Sequence, residues 1–203
     1  YCTTVYMVTR KEENKEYKLL QQIVQGNKAA MKKFYEENAG YLTAVCSRYI
    51  SNREDVKDVL QESFIKIFKA IDKFKFRGAG SLRAWSARIV VNESLQHIKA
   101  NDKMQLTTLP SWDLPDMAEN HEPDFEDIPT SAILEMIQSL PLGYRTVFNL
   151  YVLEEKSHKE IASILNIAES TSASQYHRAK GMLVKEIELY RLKLKQNERS
   201  LAR

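Results

Sequence analysis

The stretch STSASQYHRAK, residues 170–180, has polar side chains whose types and spacing suit the reading of DNA base edges. Glutamine pairs with adenine, serine and threonine bond to several base edges or to phosphates, and arginine suits guanine or phosphate. Projection on a helix places inward Ser172, Tyr176, Ala179 and Leu183. The same projection points the following side chains outward, where they could face a DNA groove: Thr171, Ser174, Gln175, His177 and Arg178. Because the stretch has few cations, it should bind duplex DNA weakly on its own.

The preceding segment, KEIASILNIAE at residues 159–169, has the pattern of the first helix and turn of a helix-turn-helix unit. Its apolar positions are Ile161, Leu165 and Ile167. Ala162 would allow two helices to cross closely, and Asn166 stands at a turn whose left-handed backbone asparagine tolerates. A hairpin of two helices that only pack together is the alternative. We expect His177 to contact phosphate or a base edge rather than a metal, since no second His or Cys lies three or four residues away.

A second candidate surface combines aromatic and cationic side chains. Phe76 and Arg77 lie in a glycine-containing loop, and a basic helix with Arg83, Arg88 and Lys99 follows. An unpaired base stacks on an aromatic ring while cations follow the nucleic-acid backbone. The pattern therefore predicts a surface for single-stranded nucleic acid.

A third candidate surface lies on the helix predicted over residues 55–74. One apolar line, which should serve the core, is Val59, Ile67 and Ile71. A second line of exposed apolar side chains, Leu60, Phe64 and Phe68, runs beside Asp58, Gln61 and Glu62. A mixed apolar and acidic stripe suits a protein interface whose partner is basic. The alternative is an ordinary solvated helix face.

The elements that must position these surfaces are helices. Apolar residues recur with a period near 3.6, and the 203 residues include only 6 glycines and 5 prolines. The sequence therefore predicts an all-α protein with two small helical domains, residues 11–103 and 131–195, joined by an extended acidic linker, residues 104–130. Residues 105–131 contain four of the five prolines and no Lys or Arg. The linker is either a solvated tether or a segment that lies in a positive channel of a partner.

Composition excludes several classes of protein. The net charge of +3 does not by itself indicate a nucleic-acid partner. No apolar run approaches the roughly 18 residues of a membrane span, and no signal peptide is recognisable, so we expect a cytoplasmic protein without membrane insertion. Cys2 and Cys46 are too few for a disulfide framework or a zinc site, and Cys46 should be a core residue. We expect no enzyme, metal or cofactor, because no catalytic constellation or phosphate loop is present.

Three segments in series resemble the extracytoplasmic-function (ECF) group of bacterial sigma factors, the dissociable promoter-recognition subunits of RNA polymerase. They are DVLQESFIKIF (region 2.2), FRGAGSLRAWSARIVVNESL (regions 2.3 and 2.4) and LPLGYRTVFNLYVLEEKSHKEIASILNIAESTSASQYHRAK (region 4). The resemblance covers about residues 16 to 190, in the family's order. It implies a sigma factor that binds core RNA polymerase and directs promoter recognition and DNA opening. It also implies promoter DNA, the β′ clamp helices, the β flap and an anti-sigma factor as partners.

The resemblance assigns residues to three surfaces. Those matching the surface that grips the β′ clamp coiled coil are Asp58, Leu60, Gln61, Glu62, Phe64 and Phe68. Those matching the loop that receives a flipped −10 base, and the helix beside it, are Phe76, Arg77, Trp85, Arg88, Asn92, Gln96 and Lys99. The alternative for Trp85 is a core residue that packs beneath that loop and supports it. Those matching the −35-reading face are Ser174, His177, Arg178 and Lys180, which join Thr171 and Gln175 from the helical projection.

The reading helix departs from the family's usual pattern at three positions. Ser172 stands where a core Val is common, Ala173 where a basic residue is common, and Gln175 where Arg is common. We therefore expect Ser172→Val to stabilise the fold, and Ala173→Lys with Gln175→Arg to strengthen duplex binding. The rival interpretations are a free-standing helix-turn-helix regulator, which would need a dimer to span two half-sites, a small nuclease, and a helical protein-binding adaptor.

Overall fold

A computed structural model describes residues 15–101, Leu106 and residues 123–201, with side chains described as far as Gln196. The described residues form helices, turns and loops and contain no strand. The chain divides into two compact units, Tyr1–Ile98 and Lys99–Arg203. The prediction of an all-α protein with two helical parts is confirmed. Most of the predicted linker, and residues 11–14 and 102–103 of the first predicted domain, lie outside the described residues.

The described residues of the first unit form four helices. They are α1 (residues 15–24), α2 (Lys28–Ser47), α3 (Arg53–Ala70) and α4 (Ser81–Asn101), with a short 3-10 turn (Ile71–Lys73) after α3. Asparagine side chains start two of them: the Oδ1 of Asn27 accepts backbone N–H groups at the start of α2, and Asn52 does the same for α3. Such caps satisfy amides that have no partner within the helix.

The core of the first unit follows the predicted apolar periodicity. The predicted core line of α3 is confirmed, because the exposed fractions of Val59, Ile67 and Ile71 are 6%, 0% and 3%. Cys46 is a free, fully buried thiol, as predicted, and burial raises its pKa. A buried thiol of this kind packs as a small apolar group and is a poor nucleophile.

Four further helices lie in the described part of the second unit, residues 123–201. They are α5 (Thr130–Ser139), α6 (Leu142–Val152), α7 (His158–Leu165) and α8 (Glu169–Leu201). A capping box starts α7, where the Ser157 hydroxyl accepts the Glu160 backbone N–H and the Glu160 carboxylate accepts the Ser157 backbone N–H. The pKa of Glu160 is held below its usual range, mainly by the hydrogen bond from the Ser157 backbone N–H and next by the bond from the Ser157 hydroxyl.

The C-terminal end of the predicted linker packs onto the second unit. Ile128 belongs to the hydrophobic core of that unit, and Phe125 packs against it. The Asp124 carboxylate lies 2.9 Å from Nη2 of Arg191 on α8. The Glu126 backbone N–H and, less strongly, Arg191 hold the pKa of Asp124 below its usual range. This end of the linker is therefore part of the folded unit.

None of the described helices is both long enough and apolar enough to span a bilayer.

Candidate polymerase-binding and DNA-binding surfaces

The acidic side chains predicted for the partner surface lie on the exposed side of α3. Asp58, Gln61 and Glu62 are all exposed. Ile65 lies one turn further along the same side, and 40% of its surface is exposed. Ile65 was not among the predicted site residues, although its spacing of three and four residues from Glu62 and Gln61 indicates that all three share one face of α3.

The second apolar line of α3 is less exposed than predicted. Phe64 is only 6% exposed, so the prediction of an exposed Phe64 was wrong. The ring of Tyr35 on α2 covers it at a centroid distance of 4.7 Å, and Phe34 and Phe68 pack against it at 6.5 and 6.2 Å. Leu60 and Phe68 are half-buried. Tyr35 is the most exposed aromatic side chain of this cluster, with 50% of its surface exposed.

The loop before α4 is held by a carboxylate far away in sequence. Glu16 on α1 accepts the Gly80 backbone N–H at 2.5 Å and the Leu82 backbone N–H at 2.9 Å. Gly78 and Gly80 have φ of 117° and 79°, a region that glycine adopts without strain. A carboxylate also suits the positive end of α4. Sequence reasoning missed Glu16, because nothing in the local pattern indicates a partner more than 60 residues away.

The predicted aromatic and cationic side chains of this loop lie at its surface. Arg77 is exposed, and its backbone N–H donates to Ser81 Oγ at 3.2 Å. Phe76 is half-buried, with its ring 5.3 Å from that of Tyr17 on α1. The loop therefore presents an arginine beside a pair of aromatic rings.

One side of α4 continues this surface. Its exposed side chains, spaced three or four residues apart, are Arg88, Asn92, Gln96 and Lys99. Trp85 begins the same line but is half-buried, and its ring lies 5.0 Å from that of Phe74. That contact fits the alternative role of Trp85 as support for the loop. The arrangement offers two cations and two amide side chains along about three helical turns.

The helix-turn-helix geometry in the second unit is confirmed. Asn166 ends α7 with φ 56° and ψ 49°, the left-handed conformation predicted for the turn. Ile161 and Leu165 are buried, as predicted. The two helices are also joined by a polar contact that was not foreseen: His158 Nδ1 and Ser172 Oγ lie 3.0 Å apart.

The predicted inward side of α8 is largely confirmed. Ser172, Ala179 and Leu183 are fully buried. Tyr176 is half-buried, and its ring lies 4.3 Å from that of Tyr151 and 6.2 Å from that of Phe148. This packing fixes which side of α8 faces away from the unit.

The side chains proposed to read the −35 element differ in their exposure. Ser174 and His177 are exposed, whereas Thr171, Arg178 and Lys180 are half-buried. Arg178 Nη1 donates to the Tyr144 hydroxyl at 3.2 Å. Lys180 Nζ lies 5.3 Å from the centre of the Tyr176 ring. The outward face therefore carries a modest positive charge, with one of its cations already bonded to α6.

Gln175 does not face a groove in this structure, so the predicted outward position was wrong. The side chain is fully buried, and its Nε2 donates to the Leu106 backbone carbonyl at 2.7 Å. Gln175 lies three residues from the buried Ser172, on the flank of the inward side. Leu106, itself 1% exposed, covers that flank.

The part of the chain that the structure describes contains no group of three or more His, Cys, Asp or Glu side chains arranged to hold a metal ion.

Comparisons with known proteins match both units. The family model for sigma-70 region 2 matches residues 34–104, and the model for sigma-70 region 4 matches residues 130–183. The ECF RNA polymerase sigma-E factor of Haemophilus influenzae is 28% identical over 191 residues, which cover 87% of this chain and 97% of the relative. The sigma-E factor of Salmonella typhimurium is also 28% identical, over 84% of this chain and 93% of the relative.

A solved structure of CnrH in complex with the cytosolic domain of CnrY is 22% identical, covers 84% of this chain and 96% of the matched chain, and has a TM-score of 0.44. The matches to both sigma-70 regions, in the order and positions of the two helical units, identify the family. The chain belongs to the ECF group of the sigma-70 family, the sigma factors that direct RNA polymerase to promoters.

Proposed function

We propose that the two units divide promoter recognition between three surfaces. The acidic side of α3 docks on the β′ clamp helices of core polymerase, the loop at residues 76–77 with the exposed side of α4 opens the −10 element, and the outward side of α8 reads the −35 element. The corresponding domains are residues 11–103 and 131–195. Residues 104–130 link them, and the C-terminal end of this linker packs onto the second unit. The protein acts in the cytoplasm as an initiation factor and not as a catalyst.

The exposed line on α4 supports this proposal most strongly. Arg88, Asn92, Gln96 and Lys99 share one side of the helix, and Phe76 with Arg77 stands at its N-terminal end. Cations along a line follow a phosphate backbone, aromatic rings stack on unpaired bases, and amide side chains bond to base edges. A free-standing helix-turn-helix regulator would leave this line, and the acidic side of α3, without a role.

The docking surface on α3 differs in one respect from the family-based prediction. Asp58, Gln61 and Glu62 supply its polar part, and Ile65 with the edge of Tyr35 supplies exposed apolar area. Phe64 supports this surface from below through its contacts with Phe34 and Tyr35. An apolar centre with an acidic rim suits a partner that carries basic residues.

The −35 face consists of Thr171, Ser174, His177, Arg178 and Lys180. Gln175 is left out because its side chain is buried against Leu106. The small positive charge of this face supports weak duplex binding by the protein alone, with polymerase supplying most of the affinity. Exposed apolar side chains at the end of α6, Tyr151, Val152 and Leu153, offer a second polymerase contact, for the β flap. An anti-sigma factor is the further partner that the family resemblance implies.

Reconstitution tests the proposal. The full chain is mixed with core RNA polymerase, the complex is isolated by gel filtration, and transcription is measured on promoter fragments and on scrambled fragments. We expect a stable complex that initiates only on promoters carrying both elements. Binding to promoter DNA without any association with core polymerase would contradict the proposal and favour the free-standing regulator.

A further inference from the structure

Helix α1 carries none of the residues that the family resemblance assigns to the three surfaces, yet two neighbouring side chains of this helix hold the loop before α4. The Glu16 carboxylate accepts the backbone N–H groups of Gly80 and Leu82, one on each oxygen. The Tyr17 ring lies 5.3 Å from the ring of Phe76, at the other end of the loop. Helix α1 therefore fixes both ends of the loop that carries the proposed −10 contacts.

The core of the first unit sets the position of α1. Leu20 and Ile23 are only 6% and 1% exposed. Glu16 lies one helical turn before Leu20, so it is on the side of α1 that faces the unit. Tyr17 lies at the edge of that side and keeps 44% of its surface exposed. The two contacts therefore start from a helix that is anchored independently of the loop.

The loop benefits from such an anchor because its own backbone is permissive. Gly78 and Gly80 have positive φ, and glycine loses more conformational freedom on folding than other residues. Within the loop, the Ser81 backbone N–H donates to the Gly78 carbonyl, and the Arg77 backbone N–H donates to Ser81 Oγ. These local bonds shape the turn, but they do not fix it relative to the rest of the unit. The contacts with α1 do so.

We propose that Glu16 and Tyr17 are positioning residues of the −10 surface. Glu16 fixes the backbone at the start of α4, and Tyr17 fixes the ring of Phe76. Phe76 and Arg77 are thereby held in place before the unpaired strand arrives. An ordered loop binds more tightly than a mobile one, because less conformational freedom is lost on binding. This positioning role rests on the proposed function, since it assumes that the loop takes part in opening the −10 element.

The chemistry of Glu16 fits positioning rather than direct contact with DNA. Both of its carboxylate oxygens already accept backbone N–H groups. A carboxylate also repels the phosphates of a strand. The effect of Glu16 on promoter opening is therefore exerted through the loop.

Two pairs of variants separate these contacts from charge and from side-chain size. Glu16→Gln keeps the size but turns an N–H donor toward one of the two backbone N–H groups. Glu37→Gln is its control, because it removes the same charge from an exposed carboxylate that lines the same groove between α1, α2 and α4. The ion pair of Glu37 with Lys33 is exposed and 3.9 Å long, so it should contribute little to stability. Tyr17→Leu removes the ring, and Tyr17→Phe keeps it.

The first readout is the backbone N–H signals of Gly80 and Leu82 in a nitrogen–proton NMR spectrum of the free full chain. In Glu16→Gln at least one of the two should shift and exchange with solvent about tenfold faster, because it has lost a hydrogen bond to a charged acceptor. In Glu37→Gln both should stay as in the parent. Two unchanged signals in Glu16→Gln would overturn the inference, whatever the protein does with polymerase.

The second readout is transcription by reconstituted holoenzyme on a duplex promoter and on the same promoter with its −10 element already unpaired. On the duplex, Glu16→Gln should lower transcription about tenfold and Tyr17→Leu about threefold, with much smaller losses on the unpaired promoter. Both variants should bind core polymerase like the parent, because the proposed docking surface lies on α3. Glu37→Gln should equal the parent, and Tyr17→Phe should retain the activity that Tyr17→Leu loses. Equal losses on both templates together with weaker binding to core polymerase would indicate a general folding role and overturn the inference.

Phe76→Ala distinguishes failure of this inference from failure of the proposed function. If the loop opens the promoter, Phe76→Ala should be defective mainly on the duplex, and Tyr17→Leu should add little to it because both changes act through the same ring. Parental transcription by Glu16→Gln or Tyr17→Leu, beside such a defect in Phe76→Ala, would overturn the inference and leave the proposed function standing. Parental transcription by Phe76→Ala on both templates would show that the loop does not open the promoter, and the positioning role would fall with it.

Discussion

Nζ of Lys66 lies 2.6 Å from Oε2 of Glu93, and this ion pair joins α3, which carries the proposed docking surface, to α4, which carries the proposed −10 surface. Glu93 is only 9% exposed, so its carboxylate has lost most of its contact with water. Lys66 is the cation that compensates it. Because Glu93 follows Asn92 in sequence, the pair helps to fix the orientation of α4 beside α3.

Replacing Lys66 with Met should therefore destabilise the first unit. Glu93 would keep its buried carboxylate without the cation, and a buried charge without a partner is unfavourable. Thermal unfolding should show a lower melting temperature for Lys66→Met than for the parent. Lys69→Met, at an exposed lysine one turn away, is the matched control and should leave the melting temperature unchanged.

The same pair predicts a pH dependence. The hydrogen bond to Glu93 raises the pKa of Lys66. A raised lysine pKa means that the pair stabilises the folded state fully below the ordinary lysine pKa of about 10.4 and loses this effect as the pH rises through the raised value. The stability difference between parent and Lys66→Met should shrink in that range when denaturant unfolding is repeated at increasing pH. A difference that stays constant would show that the ion pair is not its cause.

Ser172 gives a prediction opposite to the one based on the family pattern. The family pattern predicts that Ser172→Val stabilises the fold, but Ser172 is fully buried and its Oγ is hydrogen-bonded to His158 Nδ1. Valine would remove that partner, so we expect a loss of about 1 kcal/mol in the free energy of unfolding. Chemical denaturation of Ser172→Val and the parent measures the difference.

His158→Phe provides the control for this prediction. His158 already stacks on Tyr151 at a centroid distance of 4.7 Å, so a phenylalanine ring should keep that contact. In the His158→Phe background, Ser172→Val should no longer be destabilising, because no imidazole nitrogen is left to lose its hydrogen-bond partner. The same destabilisation in both backgrounds would mean that the hydrogen bond contributes nothing and that valine simply fits badly.

The sequence predicted features that depend on neighbouring residues and missed those that depend on distant ones. The left-handed Asn166 and the core line of Val59, Ile67 and Ile71 follow from local conformational preference and helical period. Phe64 was misplaced because periodicity does not show that Tyr35 on α2 covers it. Glu16 and Leu106 act across more than 60 residues. Contacts of this kind arise only when helices pack together.

Because Phe64 is buried and Ile65 is exposed, substitutions at these two positions should distinguish effects on polymerase binding from effects on fold stability. Ile65→Ala should weaken binding to core polymerase by about 2 kcal/mol if it is an anchor, with little change in melting temperature. Phe64→Ala should lower the free energy of unfolding by about 3–5 kcal/mol, as buried aromatic truncations do. Glu62→Lys should weaken polymerase binding and leave the fold intact. Titration against labelled core polymerase, paired with thermal unfolding, distinguishes these effects. Unchanged affinity of both folded variants, Ile65→Ala and Glu62→Lys, would remove this side of α3 from the interface.

The −35 face should respond to added or removed charge. Ala173 is exposed on α8, so Ala173→Lys should strengthen duplex binding and steepen its salt dependence by about one counterion. If Arg178 reads a base, Arg178→Ala should weaken DNA binding by about 1–3 kcal/mol. If Arg178 contacts phosphate, the same change should lower the slope of log K against log salt by about one. Gln175→Arg, expected from the family pattern to add a DNA contact, should instead disturb the buried contact with Leu106.

Fluorescence anisotropy of the full chain on promoter and scrambled duplexes, at several salt concentrations, tests these variants. Glu169→Gln, which removes one negative charge at the start of α8 without adding a cation, controls for a general change in net charge. Ala173→Lys binding no better than the parent at low salt would show that this side of α8 does not face DNA.

The most direct test of the account is transcription by reconstituted holoenzyme carrying Asn92→Ala, measured on a duplex promoter and on the same promoter with its −10 element already unpaired. Asn92 is exposed on the α4 line, and its substitution leaves the core untouched. Flipping one base out of the stack costs a few kcal/mol, which the protein must offset only on the duplex. We predict a large defect on the duplex promoter, a small one on the unpaired promoter, and relaxed preference at one −10 base. Equal defects on both templates would contradict a role of α4 in strand opening.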